Sequence, residues 1–503
     1  MSLLNLPVEL LEQIIQETMP DEYEPFMLSC KTIYNTGLKL IDRHNTLQRT
    51  FSKLDFSSVF NQKADGSMKF LGQVAQEPLI VRYVKSATTS AKGKLVDIVA
   101  QDLNELCLLL HEDGQALQRL VSSSSSPDIR EIWVSSFSTH PTNSLSRSLG
   151  DLIQAHSWRV ILISLLENVS TLVLPRKWLN PLAAPASKLL SSIASRASRT
   201  RIGPLSRLET LESWCHDDDR IALQDLEAFL VLPKLHHVLC AGYVAAVDEH
   251  LNVPFNWRHP DLTSELCKIE LAFCCISGTE LDKLLPHTPK LQIFKLAYNR
   301  TNAHRGWDVN AIVHSLQQHC GKTLTELSLT IDQLSGGTKG GLHAFKSFTV
   351  LEDLEIDARF LLGPPVTEEL RWMTPVEYRS HSTYTAWNVA SVPKLTEMLP
   401  PSIESVRLLT GSDPQEVRLL ETLFKGWHLK QCPHLPALEK VEVEHGTETV
   451  GWVPNVPEDH ALNLAKWKPA QEAIEAAGCW YDMHMSVMGK WIEDILYSDR
   501  AGA

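Results

Sequence analysis

A short hydrophobic pattern recurs along most of the chain. In nearly every copy an apolar residue, most often Leu, is followed by others three and five positions later, which gives a loose L-x-x-L-x-L hexamer. Alternate apolar positions predict a short strand with one buried face, because side chains alternate between the two faces of a strand. Ten copies begin at Ile129, Val169, Leu208, Leu235, Leu266, Leu291, Leu324, Leu351, Ile403 and Leu438.

Helix-like segments such as TELDKLLPHT and VNAIVHSLQQHC separate many of these hexamers, whose starts lie 25 to 52 residues apart. The pattern is typical of leucine-rich repeats with variable outer segments, each unit supplying one strand and one covering element. No such unit can bury its apolar face alone, so we expect neighbours to stack into a curved solenoid over residues 129–452. The alternative is that Leu-rich hexamers arise by chance in a mixed α/β chain.

The first twenty residues, MSLLNLPVELLEQIIQETMP, predict an amphipathic helix. Its apolar side consists of Val8, Leu10, Leu11, Ile14, Ile15 and Met19. This arc covers about half of the helix, whereas a surface helix needs a stripe of only roughly 100°. The surplus predicts a contact with a second partner as well as with the rest of the chain. Two further short helices are expected before residue 50, with Gly37 interrupting between them.

Composition and charge narrow the class of protein. The chain has 503 residues and a net charge of −13, which disfavours a nucleic-acid partner. No stretch approaches eighteen apolar residues, so we expect no membrane-spanning helix. Ten cysteines without a C-x-x-C spacing indicate reduced thiols, and hence the cytoplasm or the nucleus.

Motifs of known chemistry are missing from the sequence. It contains no G-x-S-x-G elbow and no H-E-x-x-H zinc motif, and Gly321-Lys322-Thr323 lacks the earlier glycine of a phosphate-binding loop. His236, His237 and Cys240 fall in a predicted strand, where ordinary structural side chains explain them better than a metal does. We therefore expect a protein that is not an enzyme, with no catalytic, cofactor-binding or metal-binding residues.

Two groups of residues carry a resemblance to a known family. The order Leu6-Pro7-Val8-Glu9-Leu10-Leu11, with Ile14 and then Leu28-Ser29-Cys30-Lys31, resembles the F-box motif. The segments FKSFTVLEDLEIDARFLLG and LPPSIESVRLL resemble those of fungal F-box proteins with leucine-rich repeats. Pro25, which shortens the second helix, and Tyr34, where many members carry Trp, depart from the usual pattern.

The resemblance implies a function and a set of partners. F-box proteins are substrate receptors of SKP–cullin–RING ubiquitin ligases, so the expected partners are an SKP-type adaptor, a cullin through it, and a protein substrate, with no nucleic acid and no membrane. The implied adaptor-binding residues are Leu6, Pro7, Val8, Leu10, Leu11, Ile14 and Ile15.

The expected fold is α/β: a short helical F-box followed by an irregular leucine-rich-repeat solenoid, with a curved sheet inside and helices outside. F-box helices would occupy 1–50, a connecting segment or early repeat 51–128, the repeats 129–452, and a C-terminal helical cap 453–503. Trp480, Tyr481 and Trp491 would cover the open end of the last repeat.

Strand residues between the buried positions would face the concave surface and capture the substrate. The later ones are mostly acidic, so we expect Glu355, Asp357, Glu442 and Glu444 to bind a basic segment of the target. Two other hypotheses for the function stay open: a leucine-rich scaffold outside any ubiquitin ligase, and an enzyme with an unrecognised site. The acid-free segment 168–208, with seven Lys or Arg residues, is either a solvated loop or an insertion that binds acidic groups.

Overall fold

The fold is known from a computed structural model of the whole chain. The residues described are 3–55, 66–88, 162–174, 184–214, 221–247, 251–299, 308–333, 345–362, 394–410, 414–424, 428–429, 432–446, 457–484 and 491–492. The hexamer at Ile129 lies outside them, as does most of the segment 51–128.

The protein has a mixed α/β fold in which most strand pairs are parallel and helices lie between strands in the chain. It divides into two compact units. The first comprises Met1–Trp214 and Val231–Leu235, and the second comprises Cys215–Leu230 and His236–Ala503.

The first unit begins with three helices, α1 (Val8–Glu17), α2 (Tyr23–Met27) and α3 (Lys31–Phe51). Their shared interior is apolar and includes Leu11, Ile15, Met19, Tyr23, Met27, Ile33, Leu40 and Leu47. The expected break at Gly37 is wrong, because α3 runs through this residue without interruption. Gly37 instead permits close packing: an added Cβ would lie 2.0 Å from Sδ of Met27, and the Gly37 carbonyl accepts a 3.1 Å hydrogen bond from Tyr23.

The rest of the first unit is a small parallel sheet. Its elements are β1 (Lys53–Asp55), α4 (Gly66–Gln76), β2 (Ser86–Thr88), β3 (Thr171–Leu174), α5 (Ala184–Thr200) and β4 (Thr210–Trp214). The strands pair in the order β1-β2-β3-β4. Asp21, next to the helices, is 2.6 Å from Lys85 and also pairs with Arg207, so it ties the helical segment to the sheet of this unit.

The second unit contains most of the strands. Its strands are β5 (Ile221–Ala222), β6 (His237–Ala241), β7 (Tyr243–Val247), β8 (Asn252–Val253), β9 (Lys268–Ile276), β10 (Ile293–Asn299), β11 (Glu326–Gln333), β12 (Asp353–Asp357), β13 (Ser405–Thr410), β14 (Lys440–Gly446) and β15 (Trp480–His484). Its helices are α6 (Glu227–Leu230), α7 (Gly278–Leu284), α8 (Val309–Cys320), α9 (Ala358–Leu362), α10 (Leu395–Met398), α11 (Pro414–Phe424) and α12 (Pro457–Ala476).

The main sheet of this unit has the parallel order β6-β9-β10-β11-β12-β13-β14-β15. From β9 onward, every strand pairs with the next strand of the chain. β7 lies to one side, parallel to β5 and β9 and antiparallel to β8. Helix α7 packs against α8, and α11 packs against α12.

The hydrophobic hexamers explain where these strands begin. In all nine copies that fall in the described residues, the strand starts two residues after the first residue of the hexamer. The three apolar positions are buried, as Leu351, Leu354 and Ile356 of β12 illustrate. Full burial of one such side chain contributes about 1.5–3 kcal/mol, so the recurring leucines hold the sheet to its covering elements.

Other elements were not expected from the hexamers. In the segment 51–128, β1 and β2 are parallel partners with α4 between them in the chain. The C-terminal region contains the strand β15 after α12, so it is not purely helical. No helix in the described residues is both long enough and apolar enough to cross a membrane.

Candidate interaction surfaces

The N-terminal helices leave large apolar side chains on the surface. Nine large hydrophobic residues are exposed in the described part of the chain, and six of them belong to the first 38 residues: Leu3, Val8, Leu10, Leu28, Tyr34 and Leu38. Single exposed hydrophobic residues are ordinary, whereas a concentration in one small region is typical of an interaction surface.

Helix α1 presents most of the residues predicted to bind an adaptor. Val8 is 55% exposed and Leu10 is 46% exposed. Pro7 is also exposed, and Leu6 and Ile14 are half-buried. Since Ile14 lies one turn after Leu10, these two side chains share a face of the helix.

Leu11 and Ile15 do not belong to this surface. They are 3% and 0% exposed because they fill the interior where α1 packs against α3. They therefore stabilise the three helices and are out of reach of a partner, which corrects their expected role in adaptor binding.

The second and third helices add residues that the motif did not single out. Leu28, in the turn before α3, is the most exposed large hydrophobic residue of the described chain. Tyr34 and Leu38 lie one turn apart on α3, so they also share a helix face. Helical spacing would have grouped these two residues, but only the packing of the helices shows that their side is uncovered. We call the six exposed residues of the first 38 the N-terminal apolar surface.

In the second unit, a row of polar side chains crosses the main sheet. Each member occupies the fifth position of its hexamer, between buried apolar neighbours, and so projects from the opposite face. Strand register places in line, from β9 to β14, Glu270, Lys295, Ser328, Glu355, Arg407 and Glu442. We call these residues the polar row.

Ion pairs link the row to neighbouring positions. Lys295 is 2.5 Å from Glu326, and Ser328 donates a 2.7 Å hydrogen bond to Glu355. The guanidinium of Arg407 lies 3.4 Å from Glu355 and also pairs with Glu444. The face therefore carries a connected network of charges rather than isolated solvated ones.

Three of the four acids predicted to capture substrate are on this face. Glu355, Glu442 and Glu444 are partly exposed there. Asp357 is only 1% exposed, because the chain enters α9 directly after it and covers it. Its predicted role in capturing a target is therefore wrong for this arrangement.

A cavity of about 310 Å³ opens over the polar row. Its charged lining consists of Lys295, Glu326, Asp353, Glu355, Arg407 and Glu442. Ser328, Ser405 and Trp491 complete its wall, together with Leu327 and Leu354. Because four carboxylates face two cations, the lining has an excess of two negative charges when all six groups are ionised.

Burial makes two of these carboxyls hard to ionise. The pKa of Glu355 is raised, mainly by burial, which outweighs its hydrogen bond with Ser328 and the charges of Arg407 and Lys295. The pKa of Asp353 is raised by burial and by the negative charge of Glu326, against a hydrogen bond with Ser405. Asp353 forms no ion pair within the described residues.

Glu270, at the start of the polar row, lies in an environment that lowers its pKa instead of raising it. Burial alone would raise its pKa, but hydrogen bonds with His237 and Lys268 and their charges hold the pKa below its usual range. The carboxylate is 2.7 Å from Nε2 of His237 and 3.0 Å from Nζ of Lys268. His237 is thus a hydrogen-bond partner of Glu270.

The C-terminal tryptophans occupy different positions. Trp480 is largely exposed on β15, whereas Trp491 is 6% exposed and lines the cavity over the polar row. The expectation that Trp491 covers the open end of the last repeat is therefore wrong. Nε1 of Trp491 and Nε of Arg407 are buried and have no hydrogen-bond partner within the described residues.

Neither the cysteines nor the other potential metal ligands of the described residues form a metal-binding site. No three of its His, Cys, Asp and Glu side chains are grouped so that they could hold a metal ion. Eight cysteines are present there as thiols, five of them buried. Burial raises the pKa of Cys320 to about 11, so this thiol is protonated at neutral pH.

No model of a known protein family matches the chain, and no curated protein matches its sequence.

Proposed function

We propose that this protein is the substrate-receptor subunit of an SKP–cullin–F-box ubiquitin ligase. Its N-terminal helices bind the SKP-type adaptor, and a leucine-rich-repeat sheet in the second unit captures a protein substrate. Its contribution to ubiquitin transfer is positional, because holding the target near the conjugating enzyme raises the local concentration of lysines and restricts their orientation.

The N-terminal apolar surface is the observation that carries this proposal. Six exposed large hydrophobic side chains in 38 residues form more apolar surface than three short helices require for their own packing. Five of the seven residues that the F-box resemblance assigns to the adaptor reach the surface, wholly or in part. A second polypeptide that covers them would gain roughly 25 cal/mol for each Å² of apolar area removed from water.

The arrangement of strands supports the substrate-capturing part of the proposal. Strands that begin at regular hexamers, pair in chain order and alternate with covering helices are typical of leucine-rich repeats. Their free face displays the polar row, whose side chains project from neighbouring strands as a surface for a protein partner.

The adaptor interaction is tested by substitutions on the exposed face of α1. We expect Leu10→Asp with Ile14→Asp to abolish co-purification of the purified SKP-type adaptor in size-exclusion chromatography, because two carboxylates would be buried at an apolar contact. Circular dichroism and thermal unfolding should be close to those of the wild type, since neither residue is fully buried.

Val247→Asp is the matched control. Val247 has the same exposed fraction as Leu10, 46%, but belongs to the second unit. It should leave the adaptor complex intact. A wild-type chain that does not bind the adaptor, or a double variant that binds as well as the wild type, would contradict the ligase role and favour a leucine-rich scaffold outside any ligase.

A further inference from the structure

The cavity over the polar row has the dimensions of a small ligand site. Its volume of about 310 Å³ lies at the lower end of the range of roughly 300–1,000 Å³ for ligand pockets. The space suits one extended side chain better than a large cofactor. Its walls come from five neighbouring strands, β10 to β14, whose backbone hydrogen bonds fix the positions of the lining groups.

The charges of the lining favour a cation. Lys295 is occupied by Glu326, and Arg407 is shared between Glu355 and Glu444. Asp353 forms no ion pair in the described residues, although the charge of Lys295 acts on it, and it lies beside Glu355, a carboxyl that burial also makes costly to ionise. A positive group placed between these two acids would favour their ionised forms and offset the excess of negative groups in the lining.

Trp491 supplies an aromatic wall next to the acids. The indole ring is the strongest aromatic partner for a cation, and the attraction grows when the pair is desolvated. A lining that combines one tryptophan with several carboxylates suits the ammonium of lysine or the guanidinium of arginine, whose methylene stems are also apolar.

The unpaired donors point to a peptide rather than an inorganic ion. Trp491 is only 6% exposed. Its indole N–H and the Nε–H of Arg407 have no acceptor within the described residues. A buried donor without an acceptor is unfavourable, because it has lost its hydrogen bond to water and has gained none from the protein. A peptide brings carbonyl oxygens next to its cationic side chain, and these oxygens can accept hydrogen bonds from the two donors after a small side-chain adjustment. A metal cation or a simple amine brings no such acceptor.

We propose that the cavity lined by Asp353, Glu355 and Trp491 binds a lysine or arginine side chain of a protein partner. The site differs from the acidic surface expected from the sequence, since Asp357 is excluded and Asp353 and Trp491 are included. Substrate capture at this site rests on the proposed ligase role, but the binding itself does not.

The test measures peptide binding by the purified full-length chain without an adaptor. The probe is a pool of nine-residue peptides with a central arginine or lysine, labelled with a fluorophore and followed by fluorescence polarisation at low ionic strength. Matched pools carry citrulline or norleucine, which are neutral and of similar length. We expect saturable binding of the cationic pools, at least about tenfold weaker binding of the neutral pools, and weakening by added salt.

Substitutions assign the binding to the cavity. Asp353→Asn and Glu355→Gln should each reduce the affinity about tenfold, whereas Glu265→Gln should not, although it removes the same charge from an exposed pair with Lys290. Trp491→Ala should weaken binding several-fold and Trp491→Phe less so. Thermal unfolding verifies that each variant is folded.

Three results would overturn the proposal: equal binding of cationic and neutral pools, equal affinities for the two cavity variants and Glu265→Gln, or tighter binding by Trp491→Ala. Failure of the ligase proposal has a different signature, loss of the adaptor complex in a chain that still binds the cationic pool.

Discussion

At the scale of single residues, position in the sheet decides what a carboxylate does. Glu270 and Glu355 occupy the same position of their hexamers on strands of one sheet. Glu270 has two close donors, His237 and Lys268, and its pKa is lowered. Glu355 is buried against one hydroxyl and a shared guanidinium, and its pKa is raised. The two side chains therefore contribute to stability in opposite pH ranges.

Replacement of these residues by glutamine should reveal the opposite signs. The contribution of Glu270 is present above its unfolded-state pKa and is lost as the pH falls through the lower folded-state pKa. The contribution of Glu355 is present below its unfolded-state pKa and is lost as the pH rises through the higher folded-state pKa. We expect Glu270→Gln to lower the free energy of unfolding more at about pH 7 than at about pH 4.

We expect Glu355→Gln to be neutral or stabilising at about pH 7, since Arg407 keeps Glu444 as a partner. Urea unfolding of the wild type and both variants at the two pH values measures the difference. Equal pH dependence of the two variants would contradict the environments described for these acids.

Single residues were also the hardest feature to predict from the sequence. A helical wheel placed Leu10, Leu11, Ile14 and Ile15 on one apolar arc, yet α3 covers only part of that arc. Periodicity identifies the apolar side of a helix, but which half of a wide side is covered depends on the direction of packing. Trp491 shows the same limit, because no local pattern of the sequence predicts that it lines the cavity over the polar row.

At the scale of elements, the hexamers predicted strands with little error. The period of two within each hexamer coincides with strand geometry, and burial of the three apolar positions on one face fixes the register. The strands outside the pattern, such as β7 and β15, were missed because their apolar residues do not recur at the hexamer spacing. Short amphipathic helices in the first 50 residues were anticipated, but the continuity of α3 through Gly37 was not.

Helix–helix packing in the second unit depends on the first residue of α7. A Cβ at Gly278 would lie 2.6 Å from the carbonyl carbon of Ala311 and 2.8 Å from the amide nitrogen of Ile312, both backbone atoms of α8. Gly278→Ala should therefore force the helices apart and lower the free energy of unfolding by about 1–3 kcal/mol. Chemical denaturation measures the loss.

The control is Gln318→Ala, at an exposed position of α8. It should change the free energy of unfolding by less than about 0.5 kcal/mol. A Gly278→Ala variant as stable as this control would show that α7 and α8 do not require the close approach.

At the scale of the whole molecule, pairing in chain order makes contacts local. From β10 to β14 every strand of the second unit pairs with its predecessor and its successor along the chain, and helices lie between most of them. In such arrays stability is close to a sum of terms for neighbouring units. Interior strands gain stability from pairing with two neighbouring strands, whereas β15 pairs with β14 alone within the described residues.

Native-state hydrogen exchange should therefore show graded protection across the second unit. We expect the backbone amides of β10 to β12 to exchange most slowly and those of β14 and β15 to open at lower free energies. Mass spectrometry of peptides taken at increasing exchange times measures this gradient. Uniform protection, with all strands exchanging at the rate of global unfolding, would indicate a single cooperative core instead.

The N-terminal apolar surface also has a consequence for biosynthesis. Its helices leave the ribosome before the strands of the second unit, and at about 5–20 residues per second completion of such a chain takes on the order of a minute. Throughout that time the uncovered leucines are available to any hydrophobic neighbour in the crowded surroundings of the polysome. Early engagement by a companion subunit or a chaperone would protect the nascent polypeptide, so co-expression with the adaptor should raise the yield of intact protein.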